Sequence, residues 1–398
     1  MKVETMMDTY ATAAAKGYEK LASQYISENI FDLNFWFGGN ALHTCLRYLI
    51  AANEKDTRGI LGEAFTIYGN MRDREWWVDD YGWWGNAFHE AFIHRRALGY
   101  ESSSYDKLYQ NISKAMGYCW EKLKNNWRNK DYNLPSNGGT TDNAARCISI
   151  AGGTFNKAPD GSTPPMSGRN CVTNEGFWIL TQHLHELFPD APRYTDYLGD
   201  IAGWYERWLS LPKHRQPGIL NSNGLVLERP TGNATLPTWY WSGDQGLFAD
   251  AQYETDAGRS YAVARALFRH NTDTYGVLHE NMDFYDKTVR LKTFICDYAT
   301  GKGIFMRNLR KLVAAETNGE LSAYIRASAS SVWWNRLPGD QFTFNWNPSA
   351  PKTEPKVIPD EYKPKELCDL IMQASGLDAL SAALQFASDE EIAQPTAR

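Results

Sequence analysis

The chemistry in this 398-residue chain concentrates around two consecutive carboxylates. Asp79 and Asp80 sit between two tryptophan pairs, Trp76-Trp77 and Trp83-Trp84. Carboxylates are charged at neutral pH and seldom buried without a partner, and tryptophan is large and mostly apolar. Four indoles around two aspartates make a poor plain core and a good carbohydrate cleft. Ring faces cover the apolar C–H faces of a pyranose, while carboxylates handle its hydroxyls and glycosidic oxygen. A plainer reading makes Asp79 and Asp80 the N-caps of a helix beginning near Tyr81. Capping accounts for one aspartate and leaves the second, and the tryptophan density, unexplained.

A second polar-aromatic stretch runs Trp239-Tyr240-Trp241-Ser242-Gly243-Asp244-Gln245-Gly246. It offers Asp244 and Gln245 for hydroxyl recognition, with capping by Asp244 as an equal alternative. A third stretch, Trp36 to Asn40, has the same character. Trp36, Trp77, Trp84, Trp239 and Trp241 are the candidate stacking platforms, and Asn40, Asn137 and Asp142 are further candidate ligands. The eight histidines lie outside the aspartate motif; His43 and His89 fall inside helices, where a structural role is the stronger reading. No His/Asp cluster has metal-ligand spacing, so neither a metal nor another cofactor is expected.

These residues need elements to position them. Apolar residues three and four apart predict twelve helices, over about 7–27, 36–53, 60–68, 81–97, 104–123, 174–187, 194–209, 241–269, 277–298, 303–315, 321–335 and 366–386. Turn formers break the rhythm between 127 and 169, a loop long enough to be functional, and short hairpin character is expected within 212–240. The polar-aromatic clusters fall at the starts of the second, fourth and eighth helices. A closed ring with even helices inside and odd helices outside gathers those starts around one mouth. Helix N-termini carry unpaired N–H groups and a positive dipole end, which favours carboxylates there. The expected fold is all-α: an (α/α)6 barrel, one domain over residues 1–398, with long loops at one mouth.

Composition narrows the partners. Hydrophobic residues make up 43% of the chain, enough for a sizeable core, and 15 Trp, 22 Tyr and 17 Phe suit an aromatic-lined cleft. Net charge is −6 with no large basic patch, which argues against nucleic acid and anionic membrane surfaces. Six scattered cysteines without a CxxC indicate no disulfide framework. No apolar signal segment opens the chain, no later segment is expected to reach membrane-spanning length, and a monomer acting on an oligo- or polysaccharide is expected.

Trp76-Trp77-Val78-Asp79-Asp80-Tyr81-Gly82-Trp83-Trp84, the Trp-x-Gly-x-Gln-Gly form at 241–246 and Gly303-Ile304-Phe305-Met306-Arg307 together resemble the endo-α-1,6-mannanases of glycoside hydrolase family 76. The likeness spans about residues 30–385. It implies an (α/α)6 barrel and retaining hydrolysis by the aspartate pair, with Asp79 as nucleophile and Asp80 as acid/base. Two elements depart from the family pattern. Asn137-Gly138-Gly139-Thr140-Thr141-Asp142 stands where a Gly-Gly-Gly-Ile-Trp-Trp type element is usual, and Trp241-Ser242-Gly243-Asp244-Gln245-Gly246 where Trp-Thr-Tyr-Asn-Gln-Gly is usual. Both fall where substrate would be held.

In that assignment the acid must hold a proton near neutral pH. Asp80 is therefore expected to have a raised pKa, from its like-charged neighbour and burial by Trp83 or Trp84, while Asp79 stays ionised. The reverse assignment meets the same requirements. Two other functions compete: a cofactor-free sugar epimerase or isomerase on the same scaffold, which needs histidine acid/base groups, and a non-catalytic glycan-binding protein.

Overall fold

The computed structural model describes residues 8–25, 34–127, 152–156, 169–211, 218–231, 239–281, 295–347 and 365–393. Helices of two kinds alternate along the chain. α1 (Tyr10–Tyr25), α3 (Ile60–Met71), α5 (Asp106–Asn125), α7 (Pro192–Leu209), α9 (Ala257–Asn271) and α12 (Glu320–Trp334) form an outer layer. α5 shows the logic. Tyr109, Ile112, Cys119, Trp120 and Leu123 are buried three, four or seven apart, and Lys107, Lys114 and Glu121 occupy the other face.

The inner helices are buried nearly all round. α2 (Phe35–Ala52), α4 (Val78–Ile93), α6 (Cys171–Leu187), α8 (Ser242–Gln252), α10 (Ile295–Asn308) and α13 (Lys365–Ala387) each pack against the next, and α13 closes the ring on α2. Pairings up the walls show that they run parallel. Arg47 meets Glu90 and Trp84 meets Phe35 between α2 and α4, and Asp378 meets Thr44 and Arg307 where α13, α2 and α10 join. Glycines allow the closest approaches: a Cβ on Gly246 or Gly303 would stand 2.5 Å from the backbone of Phe305 or Ser375 on the next helix. This is the expected (α/α)6 barrel.

Twelve helices of eleven or more residues and the short α11 (Arg310–Ala315) are present among the described residues, but two predicted stretches were divided differently. The helix expected over 241–269 is α8 and α9, separated by a turn at which Asp256 caps α9 through the Arg259 N–H at 2.9 Å. Residues 272–281 are not helical, residues 282–294 lie outside the described residues, and α10 starts at Ile295. The hairpin within 212–240 is β1 (Gly218–Leu220) paired antiparallel with β2 (Val226–Thr231). Of the 127–169 loop, residues 152–156 are described after Trp127; Asn137 and Asp142 lie outside the described residues.

One expectation about length is corrected. α13 is long and apolar enough to cross a membrane by those measures alone, yet 94% of its apolar window is buried as barrel wall.

Candidate active site

The starts of α4, α6 and α8 meet at one end of the barrel. α4 begins earlier than Tyr81: Trp77 is its N-cap residue without a side-chain cap, and Asp79 and Asp80 occupy its first turn. Neither aspartate is the N-cap. The loop seats this turn, because the Val78 N–H donates to the Asn156 carbonyl at 2.7 Å. Asn174 on α6 holds the same loop, accepting from the Thr154 N–H at 2.7 Å and donating to the Thr154 carbonyl at 3.0 Å. One five-residue segment thus fixes the entrances of two inner helices.

Deeper in the barrel, toward the helix C-termini, Gln182 on α6 donates to the Ala251 carbonyl on α8 at 2.9 Å. Seven residues before each stand Glu175 and Asp244, two turns or ~10 Å nearer the mouth and on nearly the same helix faces. Both are fully buried. All four of their carboxyl oxygens, and Asp79 Oδ1, lack a hydrogen-bond partner among the described residues. Asp244 therefore does not cap α8. That helix start is held by Glu280, which accepts from the Ser242 N–H at 3.2 Å and from the Ser242 hydroxyl.

Burial without partners pushes these acids toward their protonated forms. Burial lifts Asp79 to about 7, with Glu228 adding to the rise and a backbone hydrogen bond and Arg229 opposing it. Burial raises Glu175 well above the usual carboxylate range, with Asp244 as the charged contributor. Asp244 is raised likewise by burial, then by Glu228 and Glu280, against Arg229. The expectation that Asp79 stays ionised is corrected, because burial raises its pKa to about 7. Its first-turn N–H groups do not outweigh the loss of solvent. The mouth can supply a proton near neutrality from Asp79, and the unpaired carboxyl oxygens of Glu175 and Asp244 lie buried beneath it. No group of three or more His, Cys, Asp or Glu side chains among the described residues is arranged to hold a metal ion.

The predicted ligands divide. Gln245 is committed to structure: its amide oxygen accepts from the Val226 N–H at 2.7 Å, and its amide nitrogen donates to the Val226 and Trp241 carbonyls. It ties the hairpin bearing Glu228 and Arg229 to α8 instead of facing a ligand. Asn40 is buried, and its Oδ1 accepts from Arg307 at 2.7 Å. Trp84 is fully buried, stacks on Phe35 and donates to the Phe35 carbonyl at 2.8 Å. Trp241 is also buried, its ring packed over Gly243. These four are corrected from ligand candidates to framework, because helix packing took the polar atoms or ring faces a sugar would use. Trp77 is 40% exposed, and Trp36 and Trp239 are part-exposed. His43 lines a deeper cavity, and His89 is buried in a stack on His183 with centroids 3.7 Å apart.

Sequence reasoning missed Glu175, Glu228, Arg229 and Glu280. None of the four stands out in the sequence: Glu175 follows the polar Thr173-Asn174 in the first turns of its helix.

No family model and no curated protein matches the sequence. Solved structures do. An α-1,6-mannanase of glycoside hydrolase family 76 from a Salegentibacter species superposes with a TM-score of 0.63 at 18% identity, over 94% of this chain and 98% of that one. This chain has the fold of the family 76 glycoside hydrolases. A family 76 α-mannanase from Bacteroides thetaiotaomicron gives a TM-score of 0.62 at 11% identity, over 95% and 96% of the two chains. An inactive variant of the Salegentibacter enzyme, with two consecutive aspartates replaced by alanine, was solved with α-1,6-mannotetrose. It matches with a TM-score of 0.63 at 17% identity, over 95% and 99%. The family 76 fold extends over almost the whole of the described chain.

Proposed function

We propose that this protein is a retaining glycoside hydrolase of family 76 that cleaves α-linked mannose glycans, as an endo-α-1,6-mannanase. The observation that carries the reading is the Asp79-Asp80 pair in the uncapped first turn of an inner helix, at the mouth of a barrel whose fold is shared with α-mannanases. One of those enzymes is inactive without two consecutive aspartates. Double displacement requires one carboxylate to attack the anomeric carbon and a second carboxyl to protonate the departing oxygen, then to deprotonate the incoming water. Asp79 and Asp80 supply the pair. The unpaired oxygens of Glu175 and Asp244 accept hydrogen bonds from sugar hydroxyls, and Trp77, Trp36 and Trp239 provide stacking faces. This replaces Gln245, Asn40, Trp84 and Trp241 as the recognition set; Asn137 and Asp142 stay in the proposal on the resemblance alone.

An epimerase reading needs imidazolium groups that donate protons. His43, His89 and His183 are instead held neutral, each with its pKa lowered first by burial. That favours hydrolysis.

Anomer-resolved analysis of the first products from α-1,6-mannan tests the proposal. Retained configuration, lost in Asp79→Ala and Asp80→Ala, supports it; inverted product or full activity in both variants refutes it. Azide then separates the two roles. It yields a β-glycosyl azide in the variant lacking the nucleophile and an α-glycosyl azide in the variant lacking the acid/base.

A further inference from the structure

The barrel lumen changes character with depth. One turn below the acidic mouth, Trp83, Ile179 and Leu247 extend the same inner helices with apolar side chains. Beyond them, toward the helix C-termini, these three residues floor a second cavity rich in guanidinium groups. Arg47 from α2, Arg307 from α10 and Arg310 from the start of α11 line it, with His183 and Asn86. Its carboxylates are Glu90 and Asp250.

The charges do not balance. Buried Glu90 faces Arg47 at 3.1 Å and Arg310 at 3.6 Å, so two guanidinium groups share one carboxylate there. Asp250 is engaged by Lys311 at 3.1 Å, which Glu254 also reaches at 3.7 Å, and Arg307 by Asp378 at 3.1 Å. Among the side chains that line the cavity, three guanidinium groups face two carboxylates. The field agrees with the count: Glu90 is buried, which alone would raise its pKa, yet Arg47 and Arg310 hold it well below the usual carboxylate range.

Hydrogen-bonding capacity also remains. Arg307 is 6% exposed, and its Nη atoms serve Asn40, Thr44 and Asp378. Its Nε–H has no partner among the described residues, nor has His183 Nδ1. A buried guanidinium N–H left unpaired is costly, and an oxyanion is the natural partner for a guanidinium edge. We propose that this second cavity is a binding site for a small oxyanion, a carboxylate or a phosphate, distinct from the carbohydrate mouth. Arg310, about one-third exposed at its rim, meets the ligand first, and Arg307 Nε–H receives it inside. The site stands whether or not the mouth hydrolyses mannan, because it shares no side chain with the aspartate pair.

Calorimetric titration of the intact protein with inorganic phosphate and with acetate, at constant ionic strength, tests the site. Saturable one-to-one binding of either anion is expected, with phosphate preference marking a phosphate site and acetate preference a carboxylate site. Arg310→Gln is expected to weaken it by about tenfold or more, the loss of one charge-assisted contact. Lys114→Gln removes an exposed charge on the outer face of α5 and is expected to stay within about twofold, which excludes a general surface-charge effect. Asp79→Asn is expected to leave the anion affinity unchanged. No saturable binding of either anion, or equal weakening by Arg310→Gln and Lys114→Gln, overturns the proposal.

Discussion

Asp79→Asn is expected to make the protein more stable while removing its activity. Burial lifts Asp79 from an ordinary 3.8 to about 7, so the folded chain holds a proton there that the unfolded chain has released. Between about pH 4 and 7 the folded state binds more protons, and stability falls as pH rises through that window. Above it, the ionised carboxylate costs about 4 kcal/mol, from roughly three pK units at about 1.4 kcal/mol each. Asparagine removes that cost. The opposing backbone hydrogen bond at the helix start is already contained in the net rise, so the gain is about 4 kcal/mol. Unfolding entropy of about 2.1 cal/mol/K per residue over this length converts it to a rise of about 5 °C in thermal midpoint. Differential scanning calorimetry of both proteins from pH 4 to 8 reads it. The gain should be near zero at pH 4, grow through pH 5 and 6, and level off near pH 8. A pH-independent gain, or a loss at pH 8, refutes the claim that desolvation raises the pKa of this carboxyl.

The same sign governs its neighbours: Glu175→Gln and Asp244→Asn should each raise the midpoint at pH 7 to 8 and weaken oligosaccharide binding, as scanning calorimetry and titration with α-1,6-mannotetraose would show. Both acids are raised well above the carboxylate range, so their stabilisation should persist to higher pH than that of Asp79→Asn. In the pH profile of kcat/KM, an ionising Asp79 near 7 should appear as the acidic limb if it attacks and as the basic limb if it protonates the leaving oxygen; that limb should move in Asp79→Glu. Trp77→Ala should raise KM with little change in urea midpoint, whereas Trp84→Ala should cost about 3 to 5 kcal/mol in urea unfolding because that ring is fully buried. Gln245→Leu breaks all three bonds that seat the hairpin; limited proteolysis should then cleave faster within residues 218–231, and an unchanged digestion pattern would return Gln245 to the ligand set.

Much of the frame was legible in the sequence because its signals are local. A 3.6-residue rhythm marks helices wherever one face is buried, and the starts of the second, fourth and eighth helices stood out by tryptophan and aspartate content. The turn between α8 and α9 was not legible. It contains no glycine or proline between Gln252 and Asp256, and the capping aspartate became visible only once Arg259 was seen to donate to it. The non-helical 272–281 segment was missed for a related reason: Val277 carries a helix-like spacing but is buried by docking of an irregular segment.

The sequence by itself determined the helical alternation, the inner and outer layers, and the aspartate pair at a helix entrance. Each follows from residue types within one or two turns of one another. Tertiary structure alone decided which polar atoms remain free. Gln245, Asn40 and Trp84 look available in the sequence and are consumed by Val226, Arg307 and Phe35, partners 19, 267 and 49 residues away. Glu175 looks like an ordinary helical glutamate, and closure of the ring brings it level with Asp244, buried and without a partner. Whether a carboxyl at this mouth keeps its proton depends on solvent exclusion and on charges from other helices. Those exist only after the barrel has closed.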